Sequence, residues 1–203
     1  MNNPTLRRIL GATEPDALPA RATALLVIDF QDEYFTGALP IPDGANALRN
    51  AVSLVDHADR NGWQVVHVMH VAPADAPIFA TDGPTVGIHR DILPKPAHQL
   101  VEKTSVSVFA STPLADALKR DGITHLVICG LMTHACVAGA ARDAVPAGFD
   151  VTVAADACAT RDIVVDAQLQ VSHDALHRAA LAEIADTFGA VMNTRDILSL
   201  ATR

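Results

Sequence analysis

His125 to Ala144, HLVICGLMTHACVAGAARDA, is the stretch whose reading decides the fold. Leu126-Val127-Ile128-Cys129 is a short, β-branched apolar run that reads as a buried strand, and Gly130 ends it. After a few turn residues comes Cys136, followed by a small-residue segment, Ala138-Gly139-Ala140-Ala141, that reads as a closely packed helix. A cysteine therefore stands where a strand hands over to a helix. The first N–H groups of a helix lack internal partners and its dipole is positive there. The position predicts a stabilised thiolate of lowered pKa, beside N–H groups able to hold an oxyanion. The plain alternative is a buried structural cysteine, and residues elsewhere decide between the two.

Upstream, Thr23 to Ile28 is apolar on both faces, as a central parallel strand is, with Asp29 at its carboxyl end. In open α/β sheets that edge is where ligands bind. The loop from Phe30 to Pro42 carries Tyr34 and Phe35 and can wall a pocket beside Asp29. Apolar spacing at Ala47, Leu48, Ala51, Val52 and Val55 predicts a helix from Asp43 or Gly44 to Asn61-Gly62, and Gln64 to Val71 a second strand. Pro73 to Pro96 is Pro- and Gly-rich and too long for an idle connection, so it reads as a lid or substrate-binding insertion. Leu100-Val101-Glu102 suggests a short third strand that delivers Lys103 to the same edge as Asp29.

Thr112-Pro113 begins a helix to about Asp121. Beyond Gly148, Val151 to Ala155 is a fifth strand ending in Asp156. Ile163 to Phe188 reads as mostly helical, Ala190-Val191-Met192 as a last strand, and Thr194 as the cap of a final helix. Residues 1–21, with Pro4, Pro15 and Pro19, read as an N-terminal arm ahead of a single domain over 22–203. Strand alternating with helix this regularly predicts an α/β fold, a parallel sheet covered on both faces.

Composition sets the function classes. The 203 residues are 50% hydrophobic, enough for one sizeable core. A net charge of −8 without any basic block argues against nucleic acid or an anionic membrane as partner, and 4% aromatic content against base-stacking platforms. No apolar segment reaches the roughly 18 residues of a membrane span. Met1 to Gly11 lacks a basic region followed by an apolar run, so a cytoplasmic protein is expected. Three cysteines do not make a disulfide framework, and reduced thiols fit better. Neither GxGxxG nor a phosphate loop follows the first strand, so no cofactor is expected, and the partner is a small-molecule substrate.

Asp29, Lys103 and Cys136 thus fall at or just beyond carboxyl ends of separate strands, as a base, a cation and a nucleophile. At these residues the chain resembles the isochorismatase-like cysteine hydrolases, which include nicotinamidases and N-carbamoylsarcosine amidohydrolase. ALLVIDFQDEYF around Asp29, EKTSVSVFASTPLADAL around Lys103 and VICGLMTHACVAGAARDAVPAGFDVTVAADACAT around Cys136 carry the resemblance, which runs from about Thr23 to Ile197. It implies a catalytic triad of Asp29, Lys103 and Cys136 in a three-layer α/β/α fold, on a six-stranded parallel sheet of order 3-2-1-4-5-6. It also implies a cis peptide between Leu131 and Met132, aiming the Met132 N–H, with that of Cys136, at a developing oxyanion. A homo-oligomer is implied as well.

True isochorismatases, which cleave a vinyl ether, commonly lack the nucleophilic cysteine, so Cys136 points to an amide, carbamoyl or ureido C–N bond. Vinyl-ether hydrolysis and a non-catalytic binding subunit are the alternatives. Nicotinamidases carry an Asp-x-His metal pattern after the second strand, whereas Met69 to Asp75 reads MHVAPAD here, so no catalytic metal is expected.

The remaining candidates have plainer readings beside them. Phe35 and Phe109 each follow a triad residue by six, in loops expected at the mouth, and are candidates for substrate contact. His70, near a strand's carboxyl end, and His134, two before Cys136, are candidates too. His67 points opposite to His70 and cannot share a metal with it. His173 and His177 have helical spacing for zinc, but HDALH lacks the zincin glutamate and a third ligand. Cys129 and Cys158 read as buried small side chains, and Asp32 and Asp156 as turn or helix caps.

Overall fold

Six consecutive buried residues leave β1 (Thr23–Ile28) no solvent face, and it takes a central place in a parallel sheet. The computed structural model describes residues 3–202. Around β1 lie β2 (Gln64–His70), β3 (Gln99–Lys103), β4 (His125–Leu131), β5 (Asp150–Ala159) and β6 (Ala190–Met192). All six run parallel, as the sequence pattern predicts, in the order 3-2-1-4-5-6 that the resemblance implies.

Strand alternation divides the core into two layers. Leu25 and Val27 of β1, with Val127 and Cys129 of β4, face α1 (Gly44–Asn61) and α5 (Thr194–Leu198). Ala24, Leu26 and Ile28, with Leu126 and Ile128, face α2 (Leu114–Arg120), α3 (Ala138–Ala144) and α4 (His173–Glu183). The stripe Ala47, Leu48, Ala51, Leu54, Val55 and Ala58 is what α1 buries. Gly62, at φ +69, ends that helix by donating its N–H to the carbonyls of Ala58 and Asp59. Among the described residues no helix is long and apolar enough to cross a membrane.

The structure departs from the sequence expectations in four places. Residues 163–171 are not helical: Ile163–Val164 pairs antiparallel with Gln170–Val171. The run Ile163-Val164-Val165 is stiff at χ1, and Asp166 Oδ1 accepts from the N–H groups of Gln168 and Leu169 at 2.8 Å each, closing a turn. The helix starts only at His173, behind the Ser172 cap. β5 runs on through Asp156 to Ala159, past a register shift against β4 between Ile128 and Gly130. Thr194 lies inside α5, and Asn193 holds the cap position. Asp156 reaches over from β5, accepting from the Thr194 N–H at 2.6 Å and its hydroxyl at 2.7 Å. Finally, Ala17-Leu18 of the arm pairs with Ala201-Thr202, and Leu18 is buried in the core. Met1, Asn2 and Arg203 lie outside the described residues.

Candidate active site

In this strand order the chain reverses direction across the sheet between β1 and β4, and the crevice there is the expected ligand position. Asp29 leaves β1 in a left-handed conformation, φ +53, while its N–H is held by the Val68 carbonyl at 2.9 Å. Such a conformation is uncommon outside glycine and tolerated best by Asp and Asn. Next door, β4 passes so near β1 that a Cβ on Gly130 would lie 2.4 Å from the Ile28 carbonyl oxygen. Only glycine fits. The Leu131–Met132 peptide that follows is cis, and Thr133–Val137 forms a wide π-helical turn carrying Cys136 into α3. Lys103 ends β3, in register with His70 at the end of β2.

These placements bring the three side chains together. Lys103 Nζ lies 2.8 Å from Asp29 Oδ2, 3.3 Å from Cys136 Sγ and 2.9 Å from His70 Nδ1. An ammonium can only donate. His70 therefore accepts through Nδ1 and carries its own proton on Nε2. The trio is nearly sealed, with Asp29 at 0%, Lys103 at 1% and Cys136 at 6% exposure.

Burial raises the Asp29 pKa, against the pull of Lys103. The Cys136 thiol is pushed up to about 12 by burial and by the charge of Asp29, with Lys103 opposing. This corrects the lowered pKa expected from a helix start. That expectation counted the helix dipole and left out desolvation and a neighbouring carboxylate. At rest the proton sits on sulfur. Lys103 Nζ lies close to Oδ2, but neither Asp29 oxygen has a hydrogen-bond partner among the described residues. Lys103 thus holds Asp29 by charge at short range and leaves it lone pairs for the Sγ–H proton.

The surrounding wall comes from four segments. Gln31 Nε2 donates to the carbonyls of His70 at 2.9 Å and Val86 at 2.7 Å, and Glu33 takes the Thr85 hydroxyl at 2.5 Å, so the 73–96 insertion is fastened to the loop after β1. That insertion sets Phe79 edge-on between Tyr34 and His70, at centroid distances of 5.4 Å and 5.1 Å. On the other side the Thr133 hydroxyl bonds His177 Nδ1 at 2.8 Å, and the Thr160 hydroxyl bonds His134 Nδ1 at 2.6 Å. Tyr34 joins the wall through its edge-on contact with Phe79. Burial pushes the Tyr34 phenol up, the charge of Asp29 adds to this, and Arg161 opposes it.

Several sequence candidates sit elsewhere or act differently. Phe109 stacks on Phe149, 6.1 Å between centroids, and Phe149 directly precedes β5 at the opposite edge of the sheet. Phe109 lies in the helical turn Val108–Ser111. Phe35 packs on His89 at 4.5 Å and lines a surface groove with Leu48 and Val52. His70 is a partner of Lys103, its pKa lowered to about 4 by burial and by that ammonium. His134 is tied to Thr160, and His173 and His177 turn to different partners, Asp162 and Thr133. Among the described residues no group of three or more His, Cys, Asp or Glu side chains could hold a metal ion. Cys129 and Cys158 are free and buried.

Sequence reasoning gave Tyr34 only a place in a wall. The one signal was an aromatic with a hydroxyl five residues after Asp29. A cavity of about 700 Å³ lies at the amino edge, between Arg7, Glu14 and Phe188, remote from this chemistry.

Residues 23–196 match the Isochorismatase domain. The secreted isochorismatase effector Isc1 of Verticillium dahliae is 36% identical, over 95% of this chain and 98% of its own. A maleamate amidohydrolase of Pseudomonas putida is 27% identical, over 88% of this chain and 86% of its own. A crystal structure of an isochorismatase from Pseudomonas putida superimposes with a TM-score of 0.86 at 28% identity, covering 96% of this chain and 99% of that one.

Proposed function

Since the chain belongs to the isochorismatase family of hydrolases, we propose that it cleaves an amide, carbamoyl or ureido C–N bond of a small molecule through a thioester on Cys136. The observation that carries this reading is the Lys103 ammonium in contact with both Asp29 and Cys136 in a sealed site. Substrate entry brings a carbonyl to Sγ. Asp29 takes the Sγ–H proton, sulfur bonds to the carbonyl carbon, and the oxyanion turns toward the N–H groups of Met132 and Cys136. Asp29 returns the proton to the leaving nitrogen, the C–N bond breaks and the amine departs. A water then gives its proton to Asp29, attacks the thioester, and releases the acid and the thiol. Lys103 stabilises the thiolate and holds Asp29 in place throughout. The three free thiols suit a reducing cytoplasm as the place of work.

The maleamate amidohydrolase relative supports the amide class. The test is turnover of nicotinamide, maleamate, ureidoacrylate and isochorismate by the wild type and by Cys136→Ala. Amide turnover should fall by about 10³-fold or more with the thermal midpoint kept, as removal of a nucleophile does. Amide cleavage surviving the substitution would overturn the thioester. The raised pKa of Asp29 favours one second reading, vinyl-ether hydrolysis with Asp29 as proton donor, and isochorismate turnover that survives Cys136→Ala would establish it.

A further inference from the structure

A sealed ammonium needs orientation as well as counter-charge, and the contacts of Lys103 Nζ divide on that point. The nitrogen lies 2.8 Å from Asp29 Oδ2, yet neither Asp29 oxygen has a hydrogen-bond partner among the described residues. Asp29 thus attracts by charge, which has no direction of its own. Directed hydrogen bonds run from Nζ to Cys136 Sγ at 3.3 Å and to His70 Nδ1 at 2.9 Å. Sulfur is a weak acceptor, so the imidazole lone pair is the strong one.

His70 is itself held in place. Its N–H donates to Gln31 Oε1 at 2.8 Å and its carbonyl accepts from Gln31 Nε2 at 2.9 Å, so a buried side-chain amide completes the end of β2 as a neighbouring strand would. The ring stands edge-on to Phe79, 5.1 Å between centroids at 63°. Register sets it beside Lys103 at the ends of β2 and β3. Packing on Phe79 is served by any side chain of that volume. A nitrogen lone pair aimed at Nζ is not. Burial and the neighbouring ammonium keep the ring neutral down to about pH 4, so the acceptor is constant. Neutrality matters as well, because a carboxylate at this place would orient the ammonium but cancel the charge that sulfur needs when it ionises.

We propose that His70 is a positioning residue for the hydrolysis, whose Nδ1 lone pair holds the Lys103 ammonium against Cys136 Sγ without consuming its charge. Without the imidazole, Nζ settles on Asp29 and leaves the sulfur. For turnover this rests on the amide-hydrolase reading above. The experiment compares wild type with His70→Asn, whose Oδ1 branches from the same carbon as Nδ1 does, and with His70→Leu, which fills a similar volume without an acceptor. Iodoacetamide alkylation at pH 8, followed on the Cys136 peptide by mass spectrometry, reads thiolate formation with no substrate present. Asn should react within about threefold of wild type. Leu should react about 10- to 100-fold more slowly, as loss of a hydrogen bond to a charged group implies. On any amide that the wild type cleaves, kcat should follow the same order while KM changes less than about threefold. Thermal midpoints check the fold, and His70→Met, an adaptable apolar chain, replaces Leu if that variant does not fold. A Leu variant that alkylates at the wild-type rate overturns the assignment, as does an equal loss in Asn and Leu. If wild type cleaves no amide, the hydrolase reading fails, and alkylation still decides the role of His70.

Discussion

β2 carries two imidazoles three residues apart, and strand alternation sends them to networks built from the same residue types on opposite faces. His67 bonds His98, with Nε2 3.1 Å from Nδ1 and the rings stacked at 5.2 Å. That Nδ1 also accepts the Lys95 N–H at 3.2 Å, so it is unprotonated. His98 Nε2–H therefore donates to Asp59 at 2.9 Å, and Lys95 Nζ closes on Asp59 at 2.7 Å. This chain of bonds drains outward, ending on a carboxylate 32% exposed. The His70 network runs inward, to Lys103, Cys136 and an Asp29 with no exposure at all. Where lysine, histidine and aspartate lead to water, they form a bonded chain that, among the described residues, leaves only His67 Nδ1 without a partner, and they act as a pin. Sealed around a sulfur, a carboxyl, an imidazole and the thiol itself hold displaced pKa values.

Breaking the inward network should cost most. Lys103→Met leaves Asp29 buried without a counter-charge, and loss of one partner of a buried pair costs about 3–5 kcal/mol. Turnover should fall about 10³-fold as the thiolate loses its cation. Urea unfolding should show the stability deficit to be larger at pH 8 than at pH 5, because the orphaned carboxyl can take a proton at the lower pH. A deficit independent of pH would mean that Asp29 is not charged in the wild-type site.

The acid limb of stability sharpens the contrast next, because only the inward network holds a carboxyl whose contribution has the opposite sign. His67 titrates at about 4 in the fold against an ordinary 6.5, and His70 shifts the same way. Below pH 6.5 the unfolded chain binds protons that the folded chain refuses. Their contribution is full above pH 6.5 and is lost as the pH falls toward 4. For the enclosed His67 this amounts to roughly 3 kcal/mol over the window. Asp29 works in reverse, since its raised pKa makes the fold bind a proton earlier on acidification and offsets part of the loss. His67→Asn should flatten the limb between pH 6.5 and 4 in urea titrations; an unchanged slope would remove His67 from the account.

What could be read beforehand follows the same division between local and distant causes. The strand order, the helix over 44–61 and the positions of Asp29, Lys103 and Cys136 depend on local apolar patterning and on motifs that lie whole within short windows. The hairpin at 163–171 was missed because Asp166 closes it with two backbone N–H groups, a turn that helical spacing masks. Phe109 was misplaced because counting six residues from Lys103 ignores the helical turn that swings the ring toward Phe149. The thiol pKa had the wrong sign because burial is a property of the assembled sheet. His98 gave no signal, since its side chain is tied mainly to residues 31 and 39 positions away, His67 and Asp59.

Breaking the outward network in its middle should cost less than touching Lys103. His98 is 2% exposed, and His98→Ala strips His67 and the Lys95 N–H of their acceptor, an expected loss of about 1–3 kcal/mol in urea unfolding. The kcat on any substrate found should move less than about twofold, because the pin lies on the far face of β2 from Cys136. A large kcat effect would mean that the two faces are coupled through the strand, and the comparison would lose its force.

The smallest effect belongs to the outermost link. Lys95 Nζ touches Asp56 at 3.2 Å and Asp59 at 2.7 Å, but the lysine and Asp56 side chains are about half exposed. Water screens such pairs, and holding two long side chains in one geometry consumes most of what the attraction yields. Lys95→Gln should therefore leave the urea midpoint unchanged at low and at high salt, with the His98 bond to Asp59 intact. If Lys95→Gln instead matched His98→Ala in lost stability, the pin would be held by its solvent end rather than by its buried imidazoles. Exposure to water would then not be what separates this network from the one around Cys136.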